Sequence, residues 1–506
     1  MSRTKKTAIN SFVGIGCSLL SSLLSFVLNA VFIRLLGLEY AGVNSLFGSI
    51  LMLLNIAELG VCNAILYRLY KFISNDDTEH IELYLSVYKK VCIYVGIFVS
   101  IAGLCCIPFL ESLVKEQPSF PESLWSLYII VLATSVIAHA LDYRSILLIA
   151  KQDRFIVTII NYTCMFLKHG LQIVVLLVYK NIYFYLLVAL FTSILSGFVC
   201  GLISQRRYHL QWSSPLTVDK AERKSILKDV GSLATFKFCR TLDATIDTFL
   251  ISKFVAVATT AIYGSINILL SALNEVLGQF NDGMIASIGD LNASGEKKAV
   301  ERIYYQTFHF TFLVYGTALI ALAPFLNAFT NWWIGYTLPD ICIYIMLINF
   351  MMYGFGMHVA TFRNSIGLFV KGWKRPVYTA IFNCIFSILL VLHFGLLGTL
   401  LGTLIARLLT LSWYDPMIVA KHGWNGKPYM YYVRYAYYFF ATIAGAALCV
   451  YLGSLLPEAT TFISLVWHGV LYAVLGLVFL LLSGIIIPDQ VKLLNRFFKP
   501  IINKIR

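Results

Sequence analysis

Apolar runs of about twenty residues follow one another along the whole chain, and this repetition restricts the fold more than any other feature of the sequence. They fall near residues 9–33, 41–66, 87–110, 124–149, 155–178, 182–204, 231–253, 259–285, 303–326, 338–361, 376–393, 396–414, 435–456 and 462–487. Roughly 20 mainly apolar residues are what an α-helix needs to cross the hydrocarbon of a bilayer. Lipid offers no hydrogen bonds to an open backbone, so these runs must close theirs internally, as helices. The expected fold is an all-α polytopic membrane protein with about fourteen transmembrane helices. The closely spaced pair 376–393 and 396–414 is where two helices are most easily taken for one.

A soluble reading fails on charge. Of the 506 residues, 59% are hydrophobic and 13% charged, against about 45–50% and 25% in an ordinary soluble domain. That is too little charge to cover the core of so long a chain, and lipid removes the need. A net charge of +14 could suggest nucleic acid, but no nucleic-acid-binding motif is present. The lysines and arginines gather instead in short segments between apolar runs, which is how orientation in a membrane is set. With the N-terminus inside, 29 basic residues fall in inner segments and 4 in outer ones (Arg34, Lys115, Lys180 and Lys253). Both termini are therefore expected in the cytoplasm. The start, MSRTKKTAINSF, feeds into an apolar run too long for a signal-peptide core and reads as an uncleaved first span. The eleven cysteines include no CxxC and no metal-ligand spacing; Cys17, Cys164 and Cys384 lie in apolar runs as small hydrophobes. No metal or cofactor is expected.

The chain echoes itself about 220 residues apart. GVNSLFGSIL (42–51) has a counterpart in AIYGSINILL (261–270), and LIAKQDRFIVTIIN (148–161) in LFVKGWKRPVYTAIFN (368–383), each of the latter with a basic turn, a Thr and then an Asn. A duplicated bundle gives the expected organisation: a six-helix bundle over 1–204, a basic cytoplasmic linker over 205–230, a second six-helix bundle over 231–414, and two further helices with a basic tail over 415–506.

An ionisable group inside a span is costly unless it faces a cavity, a partner or the interface. In the seventh span Lys237, Arg240, Asp243 and Asp247 fall within an arc of roughly 120° on a helix, one polar stripe. Glu275 and Asp282 share a face of the eighth. Glu58, Asp142, Arg144, Lys168 and Arg407 complete the set. Lys237 and Arg240 are close enough to the inner side to snorkel in part. Asp142, Arg144 and Asp282 suit capping or pairing, and Arg363 suits the inner interface. Lys168 lies about 20 Å into its span, where snorkelling is strained, and Glu58 and Asp247 are similarly deep. The cations point to a cavity for an anionic substrate, with Lys168, Lys237, Arg240 and Arg407 as its binding groups. Glu58, Asp243, Asp247 and Glu275 would be counter-ions or sites for a coupling Na⁺ or H⁺. Trp332, Trp333 and the run YMYYVRYAYYFF (429–440) read as interfacial belts. Outer segments of about a dozen residues leave no room for an external catalytic domain, and no GxxxxGK[ST] motif is present.

Three stretches resemble the polysaccharide flippases of the Wzx/oligosaccharide-exporter type, in the superfamily that includes multidrug and toxin extrusion (MATE) transporters and the lipid II flippase. RLLGLEYAGVNSLFGSILMLLNIAELGVCNAILYRLYK (34–71) is similar to the family's first loop and second helix. DATIDTFLISKFVAVATTAIYGSINILLSALNEV (243–276) resembles its seventh and eighth helices. FRNSIGLFVKGWKRPVYTAIFNCIFSILL (362–390) and GLLGTLLGTLIARLL (395–409) resemble its tenth to twelfth. The resemblance implies a V-shaped pair of bundles that alternates between inward- and outward-open. It implies transport of a polyprenyl-pyrophosphate-linked oligosaccharide (an O-antigen, capsule or exopolysaccharide repeat unit) across the bacterial cytoplasmic membrane without ATP hydrolysis. Implied partners are membrane lipids, a polysaccharide polymerase and a chain-length regulator. The first helix has no basic residue deep within it, with Arg34 at its outer end, which is unlike the lipid II flippase and disfavours a peptidoglycan precursor. Two alternatives remain: a MATE-like exporter of small organic molecules, which calls for a cavity dominated by carboxylates, and a membrane-embedded polymerase or glycosyltransferase, which calls for a long external loop.

Overall fold

The computed structural model describes residues 3–55, 61–75, 77–208, 237–368, 372, 374–457, 459 and 461–487, and every regular element among them is helical. From the N-terminus come α1 (Arg3–Leu36), α2 (Leu38–Leu54), α3 (Val61–Ser74), α4 (Thr78–Cys106), α5 (Leu124–Asp142), a short α6 (Ile146–Ala150), α7 (Arg154–Tyr179) and α8 (Ile182–Tyr208). A helix over 237–250, α9, runs into a π turn at Ile251–Val255. There follow α10 (Val257–Ala293), α11 (Lys297–Ile334), α12 (Asp340–Ser365), α13 (Lys374–Thr410), α14 (Tyr414–Gly423), α15 (Tyr429–Ser454) and α16 (Phe462–Ser483). Eleven stretches among the described residues are long and apolar enough to cross a membrane, and the chain is a multi-pass membrane protein. One of them, Lys374–Gly423, contains two of the fourteen expected spans. The expected second span corresponds to α2 and α3, with 56–60 outside the described residues, and the expected seventh to α9 and its π turn, with 231–236 outside them.

α13 is two helices folded back on each other. Gly395 has φ 55° and ψ −129°, a conformation that side chains disfavour, and the chain reverses there. The arms approach so closely that a Cβ on Gly402 would overlap Oγ and Cα of Ser387. Ser387 Oγ donates to the Thr399 carbonyl at 3.2 Å, Thr403 Oγ1 to Asn383 Oδ1 at 3.1 Å, and the Thr379 and Thr410 hydroxyls meet at 2.8 Å. Close approach through small residues and polar fastening suit lipid, where no hydrophobic force drives one helix onto another. Gly402→Val is expected to destabilise the protein by about 1–3 kcal/mol through overpacking. A lower thermal midpoint of the purified protein checks this, and an unchanged midpoint contradicts the close packing.

The chain forms two compact units, Met1–Ile268 and Leu269–Arg506. The segment 209–236, where the sequence places most of the link between bundles, lies outside the described residues. In the first unit α7 packs on α1 and α8, and α5 on α4 and α8. In the second, α11 is central, against α12, α15 and α16.

The aromatic run at 429–440 is only partly the belt expected of it. Tyr431 and Tyr438, seven residues apart and so on one helix face, are 1% and 0% exposed, whereas Tyr429 and Phe440 are 72% and 67% exposed. The buried pair packs on α11: Phe312 stacks on Tyr438 with ring centroids 4.0 Å apart, and Phe308 on Tyr431 at 4.7 Å. Two histidines join this core. His309 Nδ1 lies 3.0 Å from the Tyr438 hydroxyl, and His358 Nε2 lies 2.8 Å from the Thr307 hydroxyl. Trp333 is buried as well.

The sequence echo at 148–161 and 368–383 has a counterpart in side-chain contacts. In the first unit Ser196 Oγ on α8 donates to Asn161 Oδ1 on α7 at 2.9 Å. In the second, Thr403 on the returning arm of α13 donates to Asn383 on the outgoing arm. At the same ends, Asp153 just before α7 pairs with Arg207 near the end of α8 at 2.9 Å. Arg375, in the first turn of α13, pairs with Asp415 beyond its last turn at 2.8 Å. The charges are exchanged, but the connection is the same.

A polar cavity in the first unit

α7 carries its buried positions at Val157, Ile160, Cys164, His169, Gln172 and Leu176, one helix face in steps of three to five residues. Lys168 stands at the margin of this face, fourteen residues after the helix begins, which is about 21 Å along its axis. The face closes one side of a cavity of about 510 Å³, whose other walls come from α1, α2, α5, α8 and the start of α10. Amides, hydroxyls and imidazoles line it: Asn29 from α1, Asn44 from α2, Asn55 beyond it, Ser135 and His139 from α5, and His169 and Gln172 from α7.

Part of this polar set is already satisfied. Asn29 Nδ2 donates to Ser265 Oγ at 2.8 Å, Ser135 Oγ to Asn55 Oδ1 at 2.9 Å, and Gln172 Nε2 to the Tyr185 carbonyl at 3.1 Å. Part is not. His169 and Gln172 are 6% and 3% exposed, yet His169 Nδ1 and Gln172 Oε1 have no hydrogen-bond partner among the described residues. Among the described residues no carboxylate pairs with Lys168 and none lines the cavity. An ammonium held partly buried among neutral dipoles attracts an anion more strongly than one in solvent does. The buried atoms without partners define where a ligand's polar groups would be held.

The other residues singled out in the sequence are dispersed. Lys237, Arg240, Asp243 and Asp247 all lie on α9, from the exposed Arg240 to the buried Asp247, which accepts a hydrogen bond from the Tyr263 hydroxyl at 3.1 Å. None of the four lines the cavity of Lys168. Arg407 belongs to the second unit. Its guanidinium donates to the Asn349 carbonyl at 2.9 Å and lies 6.0 Å from the Tyr353 ring centroid, so it fastens α13 to α12. Glu275 is exposed on α10. Glu58 lies outside the described residues. Asp142 accepts from the Tyr88 hydroxyl at 3.0 Å, in keeping with a pairing role. Arg363, in the last turn of α12, is 5% exposed, with its guanidinium 3.0 Å from Asp415, a buried pairing that its place in the sequence does not announce. The carboxamides of the cavity were the overlooked signal. Asn29, Asn55 and Gln172 stand in apolar runs, where a neutral amide is as much out of place as a charge.

The fold is that of transporters of the MOP superfamily. The lipid II flippase MurJ, in an inward closed conformation, superposes with a TM-score of 0.66 at 12% identity, over 97% of this chain and all of that one. An inward-facing multidrug resistance MATE family transporter gives 0.60 at 16% identity, over 81% of this chain and 98% of its own. A MOP superfamily transporter from Pyrococcus furiosus, described as having a binding pocket of reverse polarity, gives 0.51 at 16% identity, over 82% of this chain and 95% of its own. No protein-family model and no curated protein sequence matches the chain.

Proposed function

We propose that this protein is a flippase that carries a polyprenyl-pyrophosphate-linked oligosaccharide across the bacterial cytoplasmic membrane by alternating access, with both termini in the cytoplasm. The observation that carries this reading is Lys168. It is a cation deep in a span, without an ion-pair partner among the described residues, in a cavity whose wall sets amides and hydroxyls among apolar side chains. A pyrophosphate-linked sugar presents the matching chemistry, an anion followed by hydroxyls, and its headgroup cannot cross hydrocarbon unaided. The similarity to MurJ, a lipid II flippase, and to MATE transporters supports transport by a fold that moves its cargo rather than by a catalytic centre. An organic cation would find no carboxylate among the described residues that line this cavity, which disfavours a drug-exporter reading. The gradient of Na⁺ or H⁺ would supply coupling, with Asp243 and Asp247 on α9 and Glu275 on α10 as candidate ion sites. A polymerase and a chain-length regulator acting on the repeat unit are the partners this role calls for.

Complementation tests the reading. Wild-type protein is expected to restore surface polysaccharide in a strain lacking its lipid-linked-oligosaccharide flippase, and Lys168→Ala is expected to fail at equal membrane abundance. Lys237→Ala and Arg240→Ala should retain more activity than Lys168→Ala, because neither residue lines the cavity. Failure of the wild-type protein across flippase-null strains of different repeat units would overturn the assignment.

A further inference from the structure

The cavity of Lys168 asks for more than an anion. Gln172 is 3% exposed, and its Nε2 is committed to the Tyr185 carbonyl, which fixes Oε1 as the free atom. That oxygen is buried without a partner in a cavity wall. It can only accept, so a carboxylate or a phosphodiester, which carry no O–H, cannot satisfy it, whereas a hydroxyl can. Asn44 and Asn55 add amides that both donate and accept, which is the pattern that sugar hydroxyls require. Among the described lining residues, Lys168 is the one lysine or arginine. It compensates one phosphate, the one next to the sugar in a pyrophosphate linkage. A second anion placed over the amides would be desolvated without a counter-charge. The volume of about 510 Å³ is in the range of sites for single small molecules, ~300–1,000 Å³, so it takes the sugar next to the phosphate rather than a whole oligosaccharide.

We propose that this cavity is a two-pole site for an uncharged, hydroxyl-rich sugar carrying one phosphate-class anion, with Lys168 holding the anion and Gln172 Oε1 accepting from a sugar hydroxyl. It discriminates against acidic sugars at the anchor-proximal position. This rests on the flippase reading for its cargo but concerns which cargo passes.

Equilibrium binding to the full-length protein in nanodiscs tests it, with inorganic phosphate, glucose 1-phosphate, glucuronic acid 1-phosphate and farnesyl-phosphoryl-glucose as probes. Glucose 1-phosphate is expected to bind about tenfold more tightly than inorganic phosphate, and glucuronic acid 1-phosphate about tenfold more weakly than glucose 1-phosphate. Gln172→Met should bring glucose 1-phosphate to the level of phosphate while leaving phosphate binding intact, which also establishes that the variant is folded. Lys168→Met should weaken both by about tenfold or more. Equal binding of the two sugar phosphates, or an undiminished sugar preference in Gln172→Met, overturns the two-pole site. Phosphate binding that ignores Lys168→Met overturns the anion cavity itself, and with it both readings. Farnesyl-phosphoryl-glucose should bind at least as tightly as glucose 1-phosphate. If it binds more weakly while the dependence on Gln172 persists, the two-pole site stands for a soluble sugar phosphate and the flippase reading falls.

Discussion

Asp415→Ala is expected to leave little folded protein. Asp415 has 0% of its side chain exposed and faces two guanidiniums, Arg363 at 3.0 Å and Arg375 at 2.8 Å, themselves 6% and 17% exposed. It lies in the first turn of α14, where the helix dipole also favours a negative charge. One carboxylate thus joins the end of α12, the beginning of α13 and the beginning of α14. Without it both guanidiniums lose this buried carboxylate, and breaking a buried pair in this way costs about 3–5 kcal/mol. The effect reads as a collapse in the yield of monodisperse protein and in its thermal midpoint. Asp153→Ala in the first unit should be milder, because its partner Arg207 is 48% exposed and can turn to water. Equal effects of the two substitutions would contradict the ranking by burial.

Lys168→Met should do the reverse, removing function and sparing the fold. Lys168 has no ion-pair partner among the described residues, so its removal abandons no buried counter-charge. Methionine keeps the length and apolar stem of the side chain, so the wall of α7 stays filled. The thermal midpoint should be unchanged or raised. A hydrogen bond to a charged group contributes about 1.5–3 kcal/mol, so transport should fall by roughly ten- to a hundredfold. A loss of stability equal to that of Asp415→Ala would mean that Lys168 is a structural residue.

The helices were legible because lipid leaves the backbone few options. Even the two closely spaced runs at 376–393 and 396–414 are distinct helices, divided at Gly395, though they form one continuous apolar stretch. That Lys168 is a charge well inside an apolar run was legible for the same reason. What surrounds it was not. The neutral amides Asn29, Asn55 and Gln172 carry no formal charge to draw attention, and they come from different helices whose packing a linear pattern does not encode. Arg363 could be placed near an inner edge from its position. Asp415, which buries it, is 52 residues away in sequence, and no local pattern joins the two. The aromatic run at 429–440 combines a belt with a core face, and only packing against α11 separates Tyr431 and Tyr438 from Tyr429 and Phe440. Lys237, Arg240, Asp243 and Asp247 share α9, but none of them lines the cavity of Lys168.

The central claim is that the protein moves a lipid whose phosphate is held by Lys168. Its most direct test is flipping in proteoliposomes, using a fluorescent polyprenyl-pyrophosphate-linked glycan and a membrane-impermeant quencher, with wild-type and Lys168→Met protein at equal reconstitution. Wild type should make the glycan of the inner leaflet accessible to the quencher within the assay, and Lys168→Met should do so at least about tenfold more slowly. Equal rates for the two proteins, or no acceleration over protein-free vesicles by the wild type, would contradict it.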